Sequence, residues 1–371
     1  ALEQSNTAVY FENRLFLKGY RRLQLGTNLE VEVGCFLTEH SFSHAVPVAG
    51  YVELNRADGQ KITLALLQSY VENQGIGWNF VLDYLQRFLR EHLVELSSQS
   101  VESPPPINPH DYFLTLMGVL GCRTAELHLA FCNSVGEIAF EPEPITSDDL
   151  AAWSAKTYTE AVATFDKLEI LRDSLTDDLR AACDRLLSLR PILLDRISLS
   201  NLGSISAYKM RHHGDYHLGQ VLLVENDFII TDFEGEPARS MDERRQKHSP
   251  LRDVAGMLRS FSYASSVATN QATAERPADR QHFGPLVNFW ENEVAGAFLK
   301  SYRDTIQGSA VWPVDFGTAD RLIDFFVIEK TLYELRYEMD NRPDWLSVPL
   351  FSLLRTLQHK RDTEDHKGEA L

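Results

Sequence analysis

The residues best suited to chemistry in this sequence lie in one stretch, AYKMRHHGDYHLGQVLLVENDFIITDFEGEP. Asp215 lies five residues before Gln220, and Asp232 lies twelve residues after it. The runs VLLVE and FIITDF predict two strands joined by a turn at Asn226-Asp227, so a hairpin would return Asp232 to the loop that carries Asp215. Phosphoryl transfer requires a carboxylate that accepts the proton of the attacking hydroxyl, and oxygen ligands that hold magnesium against the phosphates. The stretch therefore predicts phosphoryl-transfer chemistry.

The order of these residues follows the kinase pattern with one exchange. Kinases carry D-x4-N, then a hairpin and D-F-G, whereas this chain has D-x4-Q and D-F-E. We assign Asp215 as the catalytic base. Gln220 and Asp232, with Glu234 near them, are assigned as magnesium ligands, because a glutamine carboxamide oxygen can ligate a metal as that of asparagine does. Taken singly, each acid is more simply explained as a solvated charge at a hairpin tip, but that does not explain the ordered set.

Kinase chemistry also requires a lysine on an N-terminal strand, paired with a glutamate on the following helix, to hold the α- and β-phosphates of ATP. Lys18 ends the predicted strand LFLK, and Glu32 lies in the helix predicted over Asn28–Glu39. We assign these two residues to the pair. Glu30 is the competing choice, because the apolar positions of the helix do not settle which side faces the sheet. Lys18 could also simply end an exposed strand.

Two further segments are predicted to contact the nucleotide. EQSNT precedes the first hairpin, where a turn formed by Ser5, Asn6 and Thr7 would offer hydroxyls and backbone N–H groups to the β- and γ-phosphates. This assignment depends on the position of the turn just before the Lys18 hairpin. The strand LALLQSYV leads towards the connection between the two halves of the chain, and backbone groups from Ser69 to Val71 are predicted to meet the adenine.

The helical segment FFVIEKTLYELRYEMDNRPDW has the composition of a sugar site. Positions i, i+3, i+4 and i+7 share one helix face, and here that face carries aromatic rings and charges, which suit the C–H surfaces and hydroxyls of a sugar. The predicted substrate-binding residues are His217, Lys330, Tyr333, Glu334, Tyr337 and Trp345. The alternative is a solvated helix face whose tyrosines pack on a neighbouring helix.

Asp253 is a second kind of candidate, because it lies near the start of the helix predicted for SPLRDVAGMLRSFSYA. Its carboxylate could interact with the helix dipole and the N–H donors of the first turn. It could instead be a buried acid that braces the catalytic loop. In neither role is it a reacting group.

Predicted strands and predicted helices must position these residues. TAVYF and LFLK predict a hairpin, KITLALLQSYV predicts a strand, and WNFVLDYLQRFLREHLVEL predicts a helix. The proline triplet in Ser97–Pro109 predicts a loop. Helices are then predicted over residues 123–195 with a break at EPEPITSDD, β structure over Ser204–Asp232, and three further helices to about residue 360. This order predicts an α+β, bilobal fold, with a small β-rich lobe over residues 1–72 and a mainly helical lobe over residues 73–371.

Composition excludes several classes of protein. The 371 residues are 44% hydrophobic and 10% aromatic, enough for a substantial core. The sequence shows neither an apolar run of membrane-spanning length nor a signal-peptide pattern, so we expect a cytoplasmic protein with no membrane partner. A formal net charge of -17 argues against a nucleic-acid partner. The four cysteines form no C-x-x-C pair, so neither a zinc site nor a disulfide framework is predicted.

Together these segments resemble the bacterial maltokinases, a family of the aminoglycoside-phosphotransferase and eukaryotic-protein-kinase-like fold. The resemblance extends from residue 3 to about residue 352 and rests on EQSNTAVYFENRLFLKGYRRL, HGDYHLGQVL, DFEGEP, SPLRDVAGMLRSFSYA and YELRYEMDNRPDWLSVPL. It implies ATP and Mg2+ as cofactors, Asp215 as the base, and maltose as the acceptor, held by the stripe around Tyr337 with Trp345. The implied product is maltose 1-phosphate for α-glucan synthesis from trehalose. The implied partner is trehalose synthase, to which family members are sometimes fused.

Members of that family usually carry a further N-terminal subdomain and a first strand before the segment that begins here at Ala1. We therefore expect this chain to be a domain cut from a fusion or a shortened form of a longer protein. Two alternatives to maltose phosphorylation remain open. One is a kinase for another hydroxyl acceptor, of the aminoglycoside or choline type, although aminoglycoside sites are strongly anionic and the stripe here includes Lys330. The other is a non-catalytic partner domain of trehalose synthase.

Overall fold

A computed structural model describes the chain over six ranges. These ranges are residues 6–98, 110–133, 136–237, 239–274, 280–313 and 315–368. Ser5 and most of the loop predicted for Ser97–Pro109 lie outside the described residues. Within these ranges, none of the helices combines the length and the apolar character that crossing a membrane requires.

The N-terminal sheet has four antiparallel strands in the order β1-β2-β4-β3. The strands are β1 (Asn6–Phe11), β2 (Leu15–Tyr20), β3 (Val48–Asn55) and β4 (Lys61–Ser69), and helix α1 (Leu29–Glu39) precedes β3. Helix α1 begins where predicted, because the side chain of Asn28 accepts a hydrogen bond from the backbone N–H of Glu30 at 2.8 Å. It packs on the sheet through Val31, which is buried against Tyr20 and Leu66. The predicted first hairpin, helix and β4 strand are confirmed.

Strand β3 lies at the edge of the sheet and is not among the predicted elements. Its pairing with β4 is interrupted between Val48 and Gly50 and between Val52 and Glu53. Several of its large apolar residues are exposed, among them Tyr51, Val52 and Leu54. An exposed, bulged edge strand lacks the regular alternation of buried and exposed positions, so its pattern in the sequence is weak.

The rest of the described chain is mainly helical. Its helices are α2 (Gly77–Ser98), α3 (Asp111–Cys132), α4 (Ser147–Leu171), α5 (Asp177–Ser188), α6 (Arg190–Arg196), α7 (Met241–Arg245), α8 (Leu251–Ala272), α9 (Arg280–Ile306), α10 (Phe316–Asn341) and α11 (Ser347–Gly368). The helical series begins earlier than the predicted residue 123. The sequence predicts three helices in the C-terminal part, whereas the described residues contain four long ones there, α8 to α11.

The β structure between these helices is shorter than predicted. Two small antiparallel pairs are present in the described residues: β5 (Glu143–Pro144) with β6 (Tyr208–Lys209), and β7 (Val221–Val224) with β8 (Asp227–Ile230). The β7–β8 turn lies at Glu225-Asn226, one residue before the predicted position, because Glu225 adopts a left-handed backbone (φ 55°) and Asp227 pairs with Val224. The hairpin itself is confirmed, and it returns the chain towards Gln220.

Helix α8 forms the centre of the helical part, where it packs against α2, α9 and α10. Phe261 of α8 contacts Phe298 of α9 edge to face, with ring centroids 5.7 Å apart. Both rings are buried, and each such burial stabilises the fold by about 1.5–3 kcal/mol. The β-rich N-terminal part and the mainly helical remainder together give the expected α+β organisation. The first turn of α8 contacts the loop at residues 213–214, which leads to Asp215.

Candidate active site

Lys18 of β2 lies at the centre of a cluster of carboxylates from both parts of the chain. Its Nζ is 2.8 Å from Glu30 Oε2 on α1, 2.8 Å from Asp232 Oδ1 and 2.6 Å from Glu234 Oε1 beyond β8. The hydroxyl of Tyr20 also donates to Glu30 Oε2, at 2.9 Å. The predicted lysine and the two predicted acidic metal ligands are therefore brought together, although 214 residues separate Lys18 from Asp232.

The prediction that Glu32 pairs with Lys18 is wrong, because Lys18 binds Glu30. Residues two apart point about 200° apart around a helix, so only one of the two can face the sheet. Glu30 is buried there, whereas Glu32 faces the other way and forms ion pairs with Arg211 and, at 3.0 Å, with Arg245. Glu32 thus ties α1 to the helical part and does not contact Lys18.

The charge of this cluster favours a further cation. Burial alone would lower the pKa of Lys18, but Glu30, Asp232 and Glu234 outweigh it and raise the pKa, so the ammonium stays protonated. Burial raises the pKa of Glu30, and repulsion from Asp232 and Glu234 adds to the effect of burial, although Lys18 opposes both. Single oxygen atoms of the three carboxylates lie within 4.8 Å of one another. One ammonium does not balance three carboxylates, and an all-oxygen donor set suits Mg2+.

Gln220 and Asp232 lie side by side at the base of the β7–β8 hairpin. The amide nitrogen of Gln220 donates to Asp232 Oδ2 at 3.1 Å. Asp232 has a left-handed backbone with φ 63°, a conformation that aspartate tolerates better than most residues and that is frequent at functional sites. Burial would raise the pKa of Asp232, but Lys18 and the Gln220 amide outweigh it and lower the pKa. The predicted magnesium ligands therefore form one group, with Gln220 positioned by Asp232.

The loop that leads to the predicted base Asp215 is held by Asp253 at the start of α8. Asp253 accepts hydrogen bonds from the backbone N–H of His213 at 2.7 Å and of Gly214 at 3.0 Å. Gly214 has φ 85°, which a residue with a side chain rarely adopts. A Cβ at Gly256, on the next turn of α8, would lie 2.6 Å from the carbonyl oxygen of Tyr216. Of the two readings open for Asp253, the structure shows the buried acid that braces the loop.

Asp215 follows this braced turn and faces helix α10. Lys330 Nζ lies 3.4 Å from Asp215 Oδ1, and His217 Nε2 lies 3.9 Å from Asp215 Oδ2. Burial lowers the pKa of His217 although Asp215 opposes this, so the ring is neutral near pH 7. Because its Nδ1 accepts the N–H of Gly219 at 3.0 Å, the ring proton resides on Nε2, facing Asp215. Asp215 thus has a cation and an N–H group beside it, and it is part-exposed.

The predicted sugar-binding stripe divides into two groups. Lys330 Nζ lies 4.9 Å from the ring centroid of Tyr333, and Tyr333 stacks with Tyr337 at 6.3 Å, so these three residues continue from Asp215 along α10. Trp345 stacks on Tyr263 of α8, with ring centroids 6.1 Å apart and an angle of 10° between the rings. The guanidinium of Arg342 lies over both Tyr337 and Trp345.

Glu334 differs from the other members of this stripe. Its carboxylate forms an ion pair with the buried Arg259 of α8, at 2.6 Å. That contact occupies Glu334 in holding α10 to α8. Of the predicted stripe, Lys330 and Tyr333 are the members that line the space beside Asp215.

A cleft of about 640 Å³ lies between the N-terminal sheet and the β7–β8 hairpin. Its lining includes the predicted nucleotide residues Asn6, Lys18, Ser69 and Val71, together with Asp232. Asn6 Nδ2 donates to Glu234 Oε1 at 3.2 Å, which brings Asn6 to the carboxylate cluster.

The phosphate-binding turn predicted for this segment is wrong for the two residues that the structure describes. Asn6 and Thr7 are in strand β1, paired with Tyr20 and Gly19, because the backbone hydrogen bonds of the hairpin extend to Asn6. The hydroxyl of Thr7 accepts a hydrogen bond from Arg21. Ser5 lies outside the described residues.

A buried ionic cluster behind Lys330 is not among the predicted site residues. Glu236 Oε1 lies 2.6 Å from Lys330 Nζ, and Glu236 also forms ion pairs with Arg239 and Arg252. Burial would raise the pKa of Glu236, but the three cations outweigh it and lower the pKa to about 2. Glu236 is in the DFEGEP motif, two residues after Glu234, which is the signal that could have indicated it. The arginine partners come from separate elements and have no local signal.

Comparison with known proteins gives relatives of modest similarity. No family model matches the sequence. The chain is 25% identical over 325 residues to a glucosamine kinase of Streptacidiphilus jiangxiensis, a match that covers 85% of this chain and 64% of that relative. It is 23% identical over 349 residues to a glucosamine kinase of Mycolicibacterium smegmatis, covering 94% of this chain and 76% of that relative. The chain thus spans less than two thirds of the first relative.

The fold is shared with a solved structure. Glucosamine kinase in complex with glucosamine, ADP and inorganic phosphate matches with a TM-score of 0.72 at 22% sequence identity, over 94% of this chain and 75% of that one. This likeness concerns the fold, and it confirms the predicted bilobal, kinase-like α+β fold.

Proposed function

We propose that this chain is an ATP-dependent sugar kinase that transfers the γ-phosphate of ATP to a sugar hydroxyl. The observation that carries the proposal is the Lys18–Glu30 ion pair, which meets Asp232 and Glu234 at the side of a 640 Å³ cleft. The names of the relatives and the ADP in the solved neighbour support a nucleotide in this cleft. Kinase chemistry uses such a lysine–glutamate pair and a metal-binding aspartate.

The residues around the cleft can divide the work of binding ATP. Lys18 is suited to the α- and β-phosphates, held in place by Glu30. Asp232, Glu234 and Gln220 would hold Mg2+, whose charge would offset that of the phosphates. Lys18 now contacts Asp232 and Glu234, and phosphate oxygens can replace these carboxylates around its ammonium. The backbone near Ser69 and Val71 is proposed to contact the adenine.

Asp215 is proposed to orient the acceptor hydroxyl and accept its proton as the phosphoryl group is transferred. Lys330 lies beside this carboxylate, with Nζ 3.4 Å from Oδ1, and can hold it in place during transfer. His217 presents its Nε2–H on the other side and can donate to the acceptor oxygen or to Asp215. Tyr333, Tyr337 and Trp345 offer ring faces on which the C–H surface of a sugar can rest.

For the acceptor, we propose an amino sugar of the glucosamine type. The similarity to two proteins named glucosamine kinase, over 85% and 94% of this chain, supports this choice. Maltose is the second candidate, since HGDYHLGQ, DFEGEP and the stripe around Tyr337 resemble the maltokinases. The two sugars differ in the amino group and in the second ring, so one panel of acceptors distinguishes them.

The test is an assay of the purified chain with ATP, Mg2+ and equal concentrations of glucosamine, maltose, glucose, choline and an aminoglycoside, with the products identified by phosphorus NMR. Phosphorylated glucosamine supports the first acceptor, and maltose 1-phosphate supports the second. Turnover of choline or an aminoglycoside alone would overturn the sugar assignment and retain the kinase assignment. Binding of ATP without turnover of any acceptor would favour a non-catalytic partner domain.

A further inference from the structure

A second cavity of about 570 Å³ is lined in part by Arg211 and His212, in the loop that leads to Asp215. Its volume is in the range of about 300–1,000 Å³ that is typical of small-molecule sites. The described lining of this cavity and that of the cleft have no residue in common, and Asp215 and Lys330 are absent from it. The Arg239, Arg252 and Glu329 side chains form the wall between it and the small space beside Asp215. We call it the basic cavity.

The basic cavity carries an excess of positive charge in a chain of net charge -17. Among its described lining residues, seven are basic and four are acidic. The basic residues are Lys156, Lys209, Arg211, Arg239, Arg245, Lys247 and Arg252. A concentration of cations on the wall of a cavity, against the sign of the whole molecule, raises the local concentration of anions.

Each lysine of the basic cavity is paired with at least one carboxylate. Lys209 lies 2.7 Å from Asp149, and Lys247 lies 2.6 Å from Glu143. Lys156 lies 3.5 Å from Glu243. These pairs are nearly neutral, so the excess charge comes from the arginines.

Arg211 and Arg245 share a single carboxylate, that of Glu32. The side chain of Arg211 is buried, with 5% of the residue exposed. Its Nε donates to the carbonyl of Ala139 at 3.0 Å and its Nη2 binds Glu32. Its Nη1 has no hydrogen-bond partner in the described part of the protein. A buried N–H group without a partner is unfavourable, and an anion in the cavity would supply the missing acceptor.

The basic cavity also has an aromatic wall. The ring of Trp153 stacks on that of His248, with centroids 4.2 Å apart and an angle of 15° between the rings. Burial lowers the pKa of His248 well below its usual value, so this stack is uncharged near pH 7. Trp153 remains half-exposed and presents a flat apolar face to a ring-shaped ligand.

We propose that the basic cavity is a binding site for a small phosphate monoester, separate from the active site. The phosphate group binds Arg211 through Nη1 with the support of Arg245, and the organic part of the ligand rests on Trp153. Guanidinium groups suit phosphate because their N–H groups match its oxygens. The ligand leaves the ion pair between Arg211 and Glu32 intact, since that contact uses Nη2.

The test is isothermal titration calorimetry on the whole chain, with a non-hydrolysable ATP analogue and Mg2+ at saturation to fill the nucleotide cleft. The probes are inorganic phosphate, glucose 6-phosphate and AMP. We expect one molecule of at least one probe to bind per chain. Equal affinity for inorganic phosphate and glucose 6-phosphate would identify free phosphate as the ligand. Tighter binding of glucose 6-phosphate or of AMP would identify a sugar phosphate or a nucleotide.

Two variants locate the site. Arg211→Gln removes the buried guanidinium, and Lys156→Glu reverses a charge at the rim of the basic cavity, where the side chain is 45% exposed and the fold is not at risk. Lys300→Glu is the matched control, because Lys300 is 77% exposed on α9 and this substitution changes the charge by the same amount as Lys156→Glu. We expect the first two variants to weaken binding at least tenfold and the control to leave it unchanged.

Three results would overturn the proposal. The first is failure of all three probes to bind at millimolar concentration. The second is unchanged binding of the probe in both single variants, Lys156→Glu and Arg211→Gln. The third is competition between the probe and the ATP analogue, which would assign the probe to the nucleotide cleft.

Discussion

Asp215 depends on its neighbours for its position. The turn before it is fixed by two hydrogen bonds to Asp253, and Lys330 and His217 lie on either side of its carboxylate. None of these contacts requires Asp215 to be charged in order to keep the fold. A variant that keeps the shape of the side chain therefore tests the chemical role separately from the structural one.

Asp215→Asn should lower kcat by about 10²–10⁴-fold, because the carboxamide cannot accept the proton of the acceptor hydroxyl. The measurement is steady-state kinetics with the acceptor identified by the panel. The KM for ATP should change little, since Asp215 is not among the described residues that line the cleft. An unchanged thermal midpoint serves as the control for folding, and turnover near that of the unmodified chain would remove Asp215 from its role.

The two glutamates of α1 can be distinguished in the same assay. Glu30→Gln should reduce kcat/KM for ATP by at least about tenfold, because Lys18 loses the charged partner that holds it towards the phosphates. Glu32→Gln should reduce kcat/KM for ATP less, because the partners of Glu32 are Arg211 and Arg245. A larger loss of kcat/KM in Glu32→Gln than in Glu30→Gln would contradict the assignment of the ion pair.

At the level of elements, the sequence predicts best where the periodicity is strong. The β1–β2 hairpin, α1 with its Asn28 cap and strand β4 follow from local patterns. Strand β3 does not, because its bulges and exposed face leave no regular alternation. The β segment predicted over Ser204–Asp232 is longer than the observed one. Buried residues of the irregular loop, such as His213 and Tyr216, resemble strand residues in composition.

The candidate site shows the same limit. Gln220 and Asp232 lie at the two ends of one hairpin, which is local information, so these two residues could be predicted to lie together. The choice between Glu30 and Glu32 depends on the rotation of α1 against the sheet, which a short amphipathic helix does not fix by itself. The cluster of Glu236 with Lys330 joins segments 94 residues apart and becomes visible only in the folded chain.

The contacts of Glu236 predict a pH dependence of stability. Its pKa is lowered from 4.5 to about 2 by Lys330, Arg239 and Arg252, against the effect of burial. A carboxyl group with a lowered pKa stabilises the fold above its unfolded pKa, and that contribution is lost as pH falls through its folded pKa. The difference corresponds to roughly 3 kcal/mol of the free energy of unfolding.

Glu236→Gln should therefore be less stable than the unmodified chain near neutral pH, and the gap should narrow as pH falls from about 4.5 towards about 2. The measurement is urea unfolding of both proteins over this pH range. Asp304→Asn on α9 is the control, since that carboxylate is 60% exposed and paired with an exposed lysine. A gap that stays constant with pH would show that folding does not lower the pKa of Glu236.

At the scale of the whole molecule, two sets of ion pairs join the N-terminal part to the helical part. Lys18 joins β2 to Asp232, and Glu32 joins α1 to Arg211 and Arg245. A nucleotide in the cleft would add contacts to both parts at once. It should therefore stabilise the chain as a unit, by RT ln(1 + [L]/Kd), which is about 2.7 kcal/mol at one hundred times Kd.

A non-hydrolysable ATP analogue with Mg2+ should raise the thermal midpoint of the unmodified chain by several degrees. The rise should largely disappear in Lys18→Met, which removes the phosphate contact from the sheet, and in Asp232→Asn, which weakens the metal site from the hairpin. Lys300→Met, far out on α9, should keep it. Loss of the rise in only one of the two site variants would show that the nucleotide binds one part of the chain and does not bridge the cleft.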